Sequence, residues 1–228
     1  MYYFSDYTFI LLIPAMIFAF YAQFKVSSTY DKFSKIRSAS GISGAQLGRD
    51  LLDRNDLGNI TVNPTTGKMT DNYDPRNKSL NLSEGVFDSS SVAALGIVAH
   101  EVGHAVQDAN AYFPIKIRSS IVPISNFGST LSIPLFFLGL IMSYGPLMDA
   151  GIVLFSLAVA FTVITLPVEF NASKRAVSML ESSGYMPAEE ITMAKKVLNA
   201  AALTYVAATA MALMQLLRLI ALRGSRND

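Results

Sequence analysis

The two histidines of this 228-residue chain stand four positions apart, in the run His100-Glu101-Val102-Gly103-His104. On an α-helix that spacing stacks both imidazoles on one face, where they can aim at a single metal ion. Glu101 then stands beside the ion, placed to polarise a water molecule. The alternative is a pair of satisfied core histidines. It requires two imidazoles and a carboxylate to share one turn of a helix that is otherwise Val, Ala, Leu, Ile and Gly. Burying three such groups without partners costs on the order of several kcal/mol, whereas one zinc ion satisfies them together.

A catalytic zinc takes three protein ligands and keeps a fourth position for water. The chain has no other histidine and no cysteine, so the third ligand must be an acid. Glu169 is the candidate: it is the only acid between Asp149 and Glu181, and it closes a long apolar run. A carboxylate at a membrane boundary is a functional candidate by default; the plainer reading pairs it with Lys174 or Arg175. One zinc per chain is expected.

Hydrophobic residues make up 51% of the chain and charged residues 15%, with a mean hydropathy of +0.37. That balance is too apolar for an ordinary soluble enzyme and points to a lipid bilayer as partner. A net charge of +1 gives no reason to expect nucleic acid. The absence of cysteine excludes disulfides and thiolate ligands. Met1 to Asp6 carries no Lys or Arg, and no small-x-small cleavage site follows, so the first two dozen residues read as an uncleaved anchor.

Four stretches are apolar enough to be expected as spans: 7–24, 124–143, 150–168 and 197–217. Pro14 is expected to kink the first. Lys25, Lys32, Lys35 and Arg37 follow it with no basic residue ahead, so the positive-inside rule sends the next segment to the cytoplasm and the N-terminus out. The second and third spans form a hairpin over Ser143-Tyr144-Gly145-Pro146, which returns Glu169 to the side of His100 and His104. A complete fourth crossing would leave Arg218, Arg223 and Arg226 outside, against the same rule.

From 27 to about 120 the composition is that of a soluble domain. Ser43 to Arg54 predicts a capped amphipathic helix with Leu47, Leu51 and Leu52 inward, closed by Asn55 to Gly58. Asn59 to Asn63 and Ser79 to Leu82 predict short strands of a hairpin or small sheet, with turns at Pro64 to Gly67 and at Tyr73-Asp74-Pro75. Such strands either cover the helix behind them or offer an edge to an extended peptide. Asp88 and Ser89 to Ser91 open an apolar helix over about 91–109 that carries the metal pair. Gly103 weakens that helix; a close approach of backbone or substrate, or simple helix packing, would account for it. A helix continues over 170–183 to Gly184, and another opens at Pro187, Glu189 and Glu190.

HEVGHAVQ, SLNLSEGVFDSSSVAALGIVA, LPVEFNASKRA and LNAAALTYVAA resemble the YugP-type neutral zinc metallopeptidases of bacterial membranes, over about 25–220. The resemblance implies a multi-pass membrane gluzincin, related in layout to the prenyl-protein and heat-shock membrane metalloproteases. It matches His100, His104 and Glu169 to the metal ligands and Glu101 to the general base. The metzincin arrangement is excluded, because residues 105–110 lack its later histidine. Many gluzincins place Asp four residues beyond the glutamate ligand, where this chain has Ser173. The YugP-like pattern has Asp two residues beyond, where this chain has Asn171. Either residue can still hydrogen-bond a ligand. Arg175, Tyr205 and Tyr112 are the candidates for stabilising an oxyanion, and for each a packing or interface role stands as the alternative.

The expected fold class is a mainly α membrane protein, with about four hydrophobic helices and a small α+β gluzincin-like metallopeptidase domain at the cytoplasmic membrane face. Its expected divisions are an anchor over 1–26, a metallopeptidase segment over 27–120, a transmembrane hairpin over 121–168, a ligand helix and connector over 169–196, and a C-terminal hydrophobic helix over 197–228. The expected activity is a zinc endopeptidase of a bacterial inner membrane, cutting membrane-associated or misfolded proteins. A metal-stabilised scaffold or assembly factor without peptidase activity is the alternative; Glu101 weighs against it, since a structural zinc needs no general base. A transporter would carry paired charges within its spans, whereas Asp149 and Glu169 stand at span ends. The four hydrophobic helices give no association signal.

Overall fold

The computed structural model describes residues 7–225, apart from the side chains at 123, 124 and 126. Met1 to Asp6 and Arg226, on which the expected uncleaved anchor, outward N-terminus and outlying arginine partly rest, lie outside the described residues. The chain is mostly helical, with one small mixed sheet. Among the described residues, three helices are long and apolar enough to cross a membrane, or four if a bent one counts as a single span.

A 3₁₀ turn over Tyr7–Leu12 leads into α1, Ile13–Phe33. Pro14 therefore falls in the first turn of α1, where its missing N–H has no intrahelical acceptor to lose, so the expected kink is replaced by a helix start. α2, Gly44–Arg54, follows, with Ser43 and Gln46 forming a reciprocal capping box. The sheet comprises β1 (Thr61–Thr65), β2 (Asn72–Asp74) and β3 (Ser79–Ser83) in the order β1-β3-β2. β1 runs parallel to β3, and β2 pairs with it as an antiparallel hairpin.

Two turn assignments are corrected here. Pro64 lies inside β1, an edge strand, where a residue without an N–H is tolerated. Tyr73 and Asp74 lie in β2, and the chain reverses only after Asp74, whose carboxylate accepts the N–H of Arg76 and of Asn77.

A short α3, Glu84–Phe87, precedes α4, Val92–Ala109, which is capped by Ser91 accepting from the Ala94 N–H. α5 is Phe113–Ile141 and bends by 53° between Val122 and Phe127. It begins before the charged Lys116 and Arg118 rather than at the start of the uncharged run. α6, Gly145–Ser183, continues without interruption from the third apolar stretch through Glu169. α7, Ala188–Gly224, likewise joins the helix opened after Pro187 to the fourth apolar stretch.

The chain divides into two compact units. One gathers 24–116 and 167–203, the other the described parts of 1–23, 117–166 and 204–228. The expected divisions at 26, 120, 168 and 196 can be compared with these. In the first unit α2, α4 and the inner face of the sheet enclose Leu47, Leu51, Leu52, Leu80, Leu82 and Leu95. α7 is tied into this unit by Glu190, which accepts from Ser38 Oγ at 2.6 Å and the Ala39 N–H at 2.9 Å. The second unit has a small core of Phe136, Met148 and Leu219. In it Asp149, at the start of α6, forms a two-armed ion pair with Arg223, at the end of α7.

Candidate metal centre

α4 supplies His100, Glu101 and His104, and α6 supplies Glu169. The two helices meet backbone to backbone at Gly103. A β-carbon there would lie 2.7 Å from the carbonyl oxygen of Ala172, so close helix packing is the reason for the glycine. That contact sets the donors opposite one another. His100 Nε2 lies 3.2 Å and His104 Nε2 3.6 Å from the same atom, Glu169 Oε2. One ligand atom from each residue falls within 4.8 Å of the others, the arrangement of a possible metal site. Glu169 is 2% exposed, His104 is buried, and His100 is partly buried.

The far nitrogens of both rings are already engaged. His104 Nδ1 is 3.0 Å from Gln107 Oε1, while the Gln107 amide nitrogen donates to Val168 O and Asn171 Oδ1. Because that nitrogen serves two acceptors, the Gln107 oxygen is the atom that faces His104, and Nδ1 is the nitrogen that donates. His104 Nε2 is thereby left with a lone pair pointing at a carboxylate. His100 Nδ1 meets Ser173 Oγ at 3.1 Å, and its Nε2 is the nitrogen that faces Glu169. Asn171 and Ser173 therefore hold the two histidines, the first through Gln107 and the second directly.

Two imidazole nitrogens and a carboxylate oxygen converge on one point, an arrangement that favours positive charge between them. The His104 pKa reports that demand. Burial alone would push it down, but the Glu169 hydrogen bond and the charges of Glu101 and Glu169 outweigh burial, and it is raised. Burial likewise pushes the Glu101 carboxyl above the ordinary carboxylate range, against the opposing influence of His104 and His100.

Residues 8–224 match the family described as "Putative neutral zinc metallopeptidase". The chain belongs to that family. It is also 44% identical, over 210 residues, to the "Putative membrane protease YugP" of Bacillus subtilis (strain 168), covering 92% of this chain and 93% of that protein. No solved structure matches it. Membership of a zinc metallopeptidase family implies zinc, and the donor set passes a chemical test for it. Two nitrogens and one carboxylate oxygen are ligands zinc accepts, with both imidazoles oriented from behind by hydrogen bonds.

Glu101 is the next residue on the same turn of α4. Its Oε2 accepts the backbone N–H of Tyr73 at 3.1 Å, so the unpaired edge of β2 faces it. β2 is held there by Tyr73, whose hydroxyl donates to Asp108 Oδ2 at 2.8 Å, and by Lys78, whose Nζ lies 2.6 Å from the same oxygen. Burial, and then the Asp108 partnership, raise the pKa of the Tyr73 hydroxyl, so it stays protonated as the donor. Asp71 secures the approach to β2 by accepting the N–H and hydroxyl of Ser83.

The three candidates for an oxyanion contact are held in different ways. Arg175 Nε donates to Asn171 Oδ1 at 2.8 Å, behind Gln107. The Tyr112 N–H donates to Gln107 O at 2.9 Å, near the end of α4. Tyr205 belongs to the other unit. Gln107, Tyr73 and Asp108 were not singled out by sequence. For Gln107 a signal existed: it is a polar residue one turn beyond His104 on an apolar helix, and it is fully buried.

Proposed function

We propose that this chain is a zinc-dependent endopeptidase of the His-His-Glu, gluzincin type, embedded in a bacterial inner membrane with its site facing the cytoplasm. One zinc per chain would be held by His100 Nε2, His104 Nε2 and a Glu169 oxygen. The observation that carries this reading is the convergence of both Nε2 atoms on Glu169 Oε2 while each Nδ1 is occupied elsewhere.

Zinc bound there would lower the pKa of a water toward neutrality and polarise the carbonyl of a peptide bond. Glu101 acts as general base. Its Oε2 is anchored by the Tyr73 N–H, so Oε1 takes the proton and returns it to the leaving amine. Burial favours this exchange by bringing the Glu101 pKa closer to that of the group it deprotonates. The outer edge of β2 beside Glu101, apart from the Tyr73 N–H that Glu101 already holds, offers backbone groups to an extended substrate, as in strand-addition recognition. Membrane-associated or misfolded proteins supply such segments.

Elemental analysis of the detergent-purified chain tests the ligand set. One zinc per wild-type chain is expected, and a large loss in both His104→Ala and Glu169→Ala. Zinc lost only with His104 would remove Glu169 from the site. No zinc in wild type after reconstitution would end the proposal.

A further inference from the structure

Within the metal-bearing unit, a cleft of about 470 Å³ opens where α1 and α7 pack through Tyr30, Phe33 and Val197. Lys25, Ser28, Thr29 and Lys32 line it from α1, and Lys196 and Asn199 from α7. The α1 residues follow the i, i+3, i+4, i+7 pattern of a single helix face. Among the described residues none of the three lysines is paired with a carboxylate. No acid lines the cleft, and Asp31, the neighbouring acid on α1, is 3.8 Å from Lys68. The cleft thus offers three ammonium groups, two hydroxyls and an amide to whatever enters it.

Its position along the helices says what enters. On α1, Lys25 is the first charge after the uncharged run 7–24; on α7, Lys196 is the last before the uncharged run 197–217. Two separate helices therefore change from charged to apolar at the same cleft. A boundary shared in this way is the level at which headgroups meet acyl chains. Phe24, 72% exposed, stands next to Lys25 on the apolar side, and Leu203 closes the α7 end.

We propose that this cleft is a binding site for the phosphodiester headgroup of an anionic phospholipid, its acyl chains lying along the uncharged faces beyond Phe24 and Leu203. Lysines gathered between spanning helices suit a phosphate as point charges, and the Thr29 hydroxyl and Asn199 amide supply directional donors, the Ser28 hydroxyl being engaged with the Lys25 carbonyl. Inorganic phosphate shares the headgroup chemistry but not the acyl contact. The site stands independently of the peptidase proposal.

The test is native mass spectrometry of the full chain in detergent, titrated with phosphatidylglycerol, with phosphatidylcholine, and with phosphatidylglycerol in competition with inorganic phosphate. Wild type is expected to bind phosphatidylglycerol in preference to phosphatidylcholine. The triple variant Lys25→Gln/Lys32→Gln/Lys196→Gln should weaken that binding roughly a hundredfold, about fivefold per lysine. The charge-matched variant Arg76→Gln/Lys174→Gln/Lys195→Gln should retain it. Equal binding of the two lipids by wild type overturns the proposal without recourse to any variant. A preference that survives in the triple variant overturns it too. Displacement by inorganic phosphate at equimolar concentration would assign the cleft to a soluble anion and overturn the lipid as occupant.

Discussion

The two units bury opposite things. In the unit with the candidate metal site the large side chains turn inward, as with Leu47, Leu51, Leu52, Leu80 and Leu82, and the buried polar groups Ser38, Gln107, Glu169 and Glu190 each have a partner. In the other unit Phe9, Ile17, Phe20, Phe127, Ile141, Val153 and Leu213 face outward around a core of three large residues. Water rewards the first arrangement and hydrocarbon permits the second. The difference teaches where a charged site can be built. The ligand cluster sits where polar groups can be satisfied from behind, although Glu169 itself follows directly on an apolar stretch.

The comparison can be broken most severely at the base. Glu101→Gln should lower peptide cleavage by roughly 10²- to 10⁴-fold while zinc content and unfolding temperature stay at wild-type values. Unchanged turnover would mean that the metal-bearing unit does its chemistry without this carboxylate. Packing comes next. Leu52→Ala removes a fully buried side chain and should cost about 2–5 kcal/mol in chemical unfolding. Phe20→Ala, at a residue 71% exposed, should change the same measurement by no more than about 0.5 kcal/mol. Similar losses in both would erase the contrast between inward and outward packing.

Smaller again is the support behind a ligand. Gln107→Ala takes the acceptor from His104 Nδ1 and should weaken zinc by roughly 10- to 100-fold in chelator competition. Affinity equal to wild type would show that His104 needs no orientation. The smallest effect is expected at Asp149→Asn, which loosens the exposed pair with Arg223 in the apolar unit. Zinc content and cleavage should be unaltered, and a change in either would couple that pair to the metal centre.

Local signals carried much of this fold. Ser43 at the head of a capped amphipathic stretch, and Asp88 with Ser89 to Ser91 ahead of an apolar run, placed α2 and α4 within a residue of their observed starts, because a cap is a contact within three residues. The approach of Glu169 to the histidines could be anticipated only through the parity of membrane crossings and the resemblance of its surroundings to a known family. β2 was hidden for a physical reason: it is three residues long and is held by β3 and by bonds to Glu101 and Asp108, which are 28 and 35 positions from Tyr73. The pairing of Asp149 with Arg223 was equally remote, at 74 positions. It bears on the fourth span, since it gives one of the arginines beyond that stretch a carboxylate partner. The helix expected to continue over 170–183 does so, and α6 runs through Pro167 without a break.

The contact between Gly103 and the Ala172 carbonyl has a mechanical consequence. A helix spacing maintained by attraction between long side chains is compliant, because rotamers can shift to follow a displacement. A spacing set by backbone against backbone is limited by hard-core repulsion, which rises steeply over a few tenths of an ångström. The separation between the histidine helix and the glutamate helix is therefore stiff in compression and independent of side-chain choice elsewhere. Any redesign of the ligands toward another ion inherits this gauge: the donor atoms can be exchanged, but the span they must bridge is written in the hydrogen atom that occupies the side-chain position of residue 103.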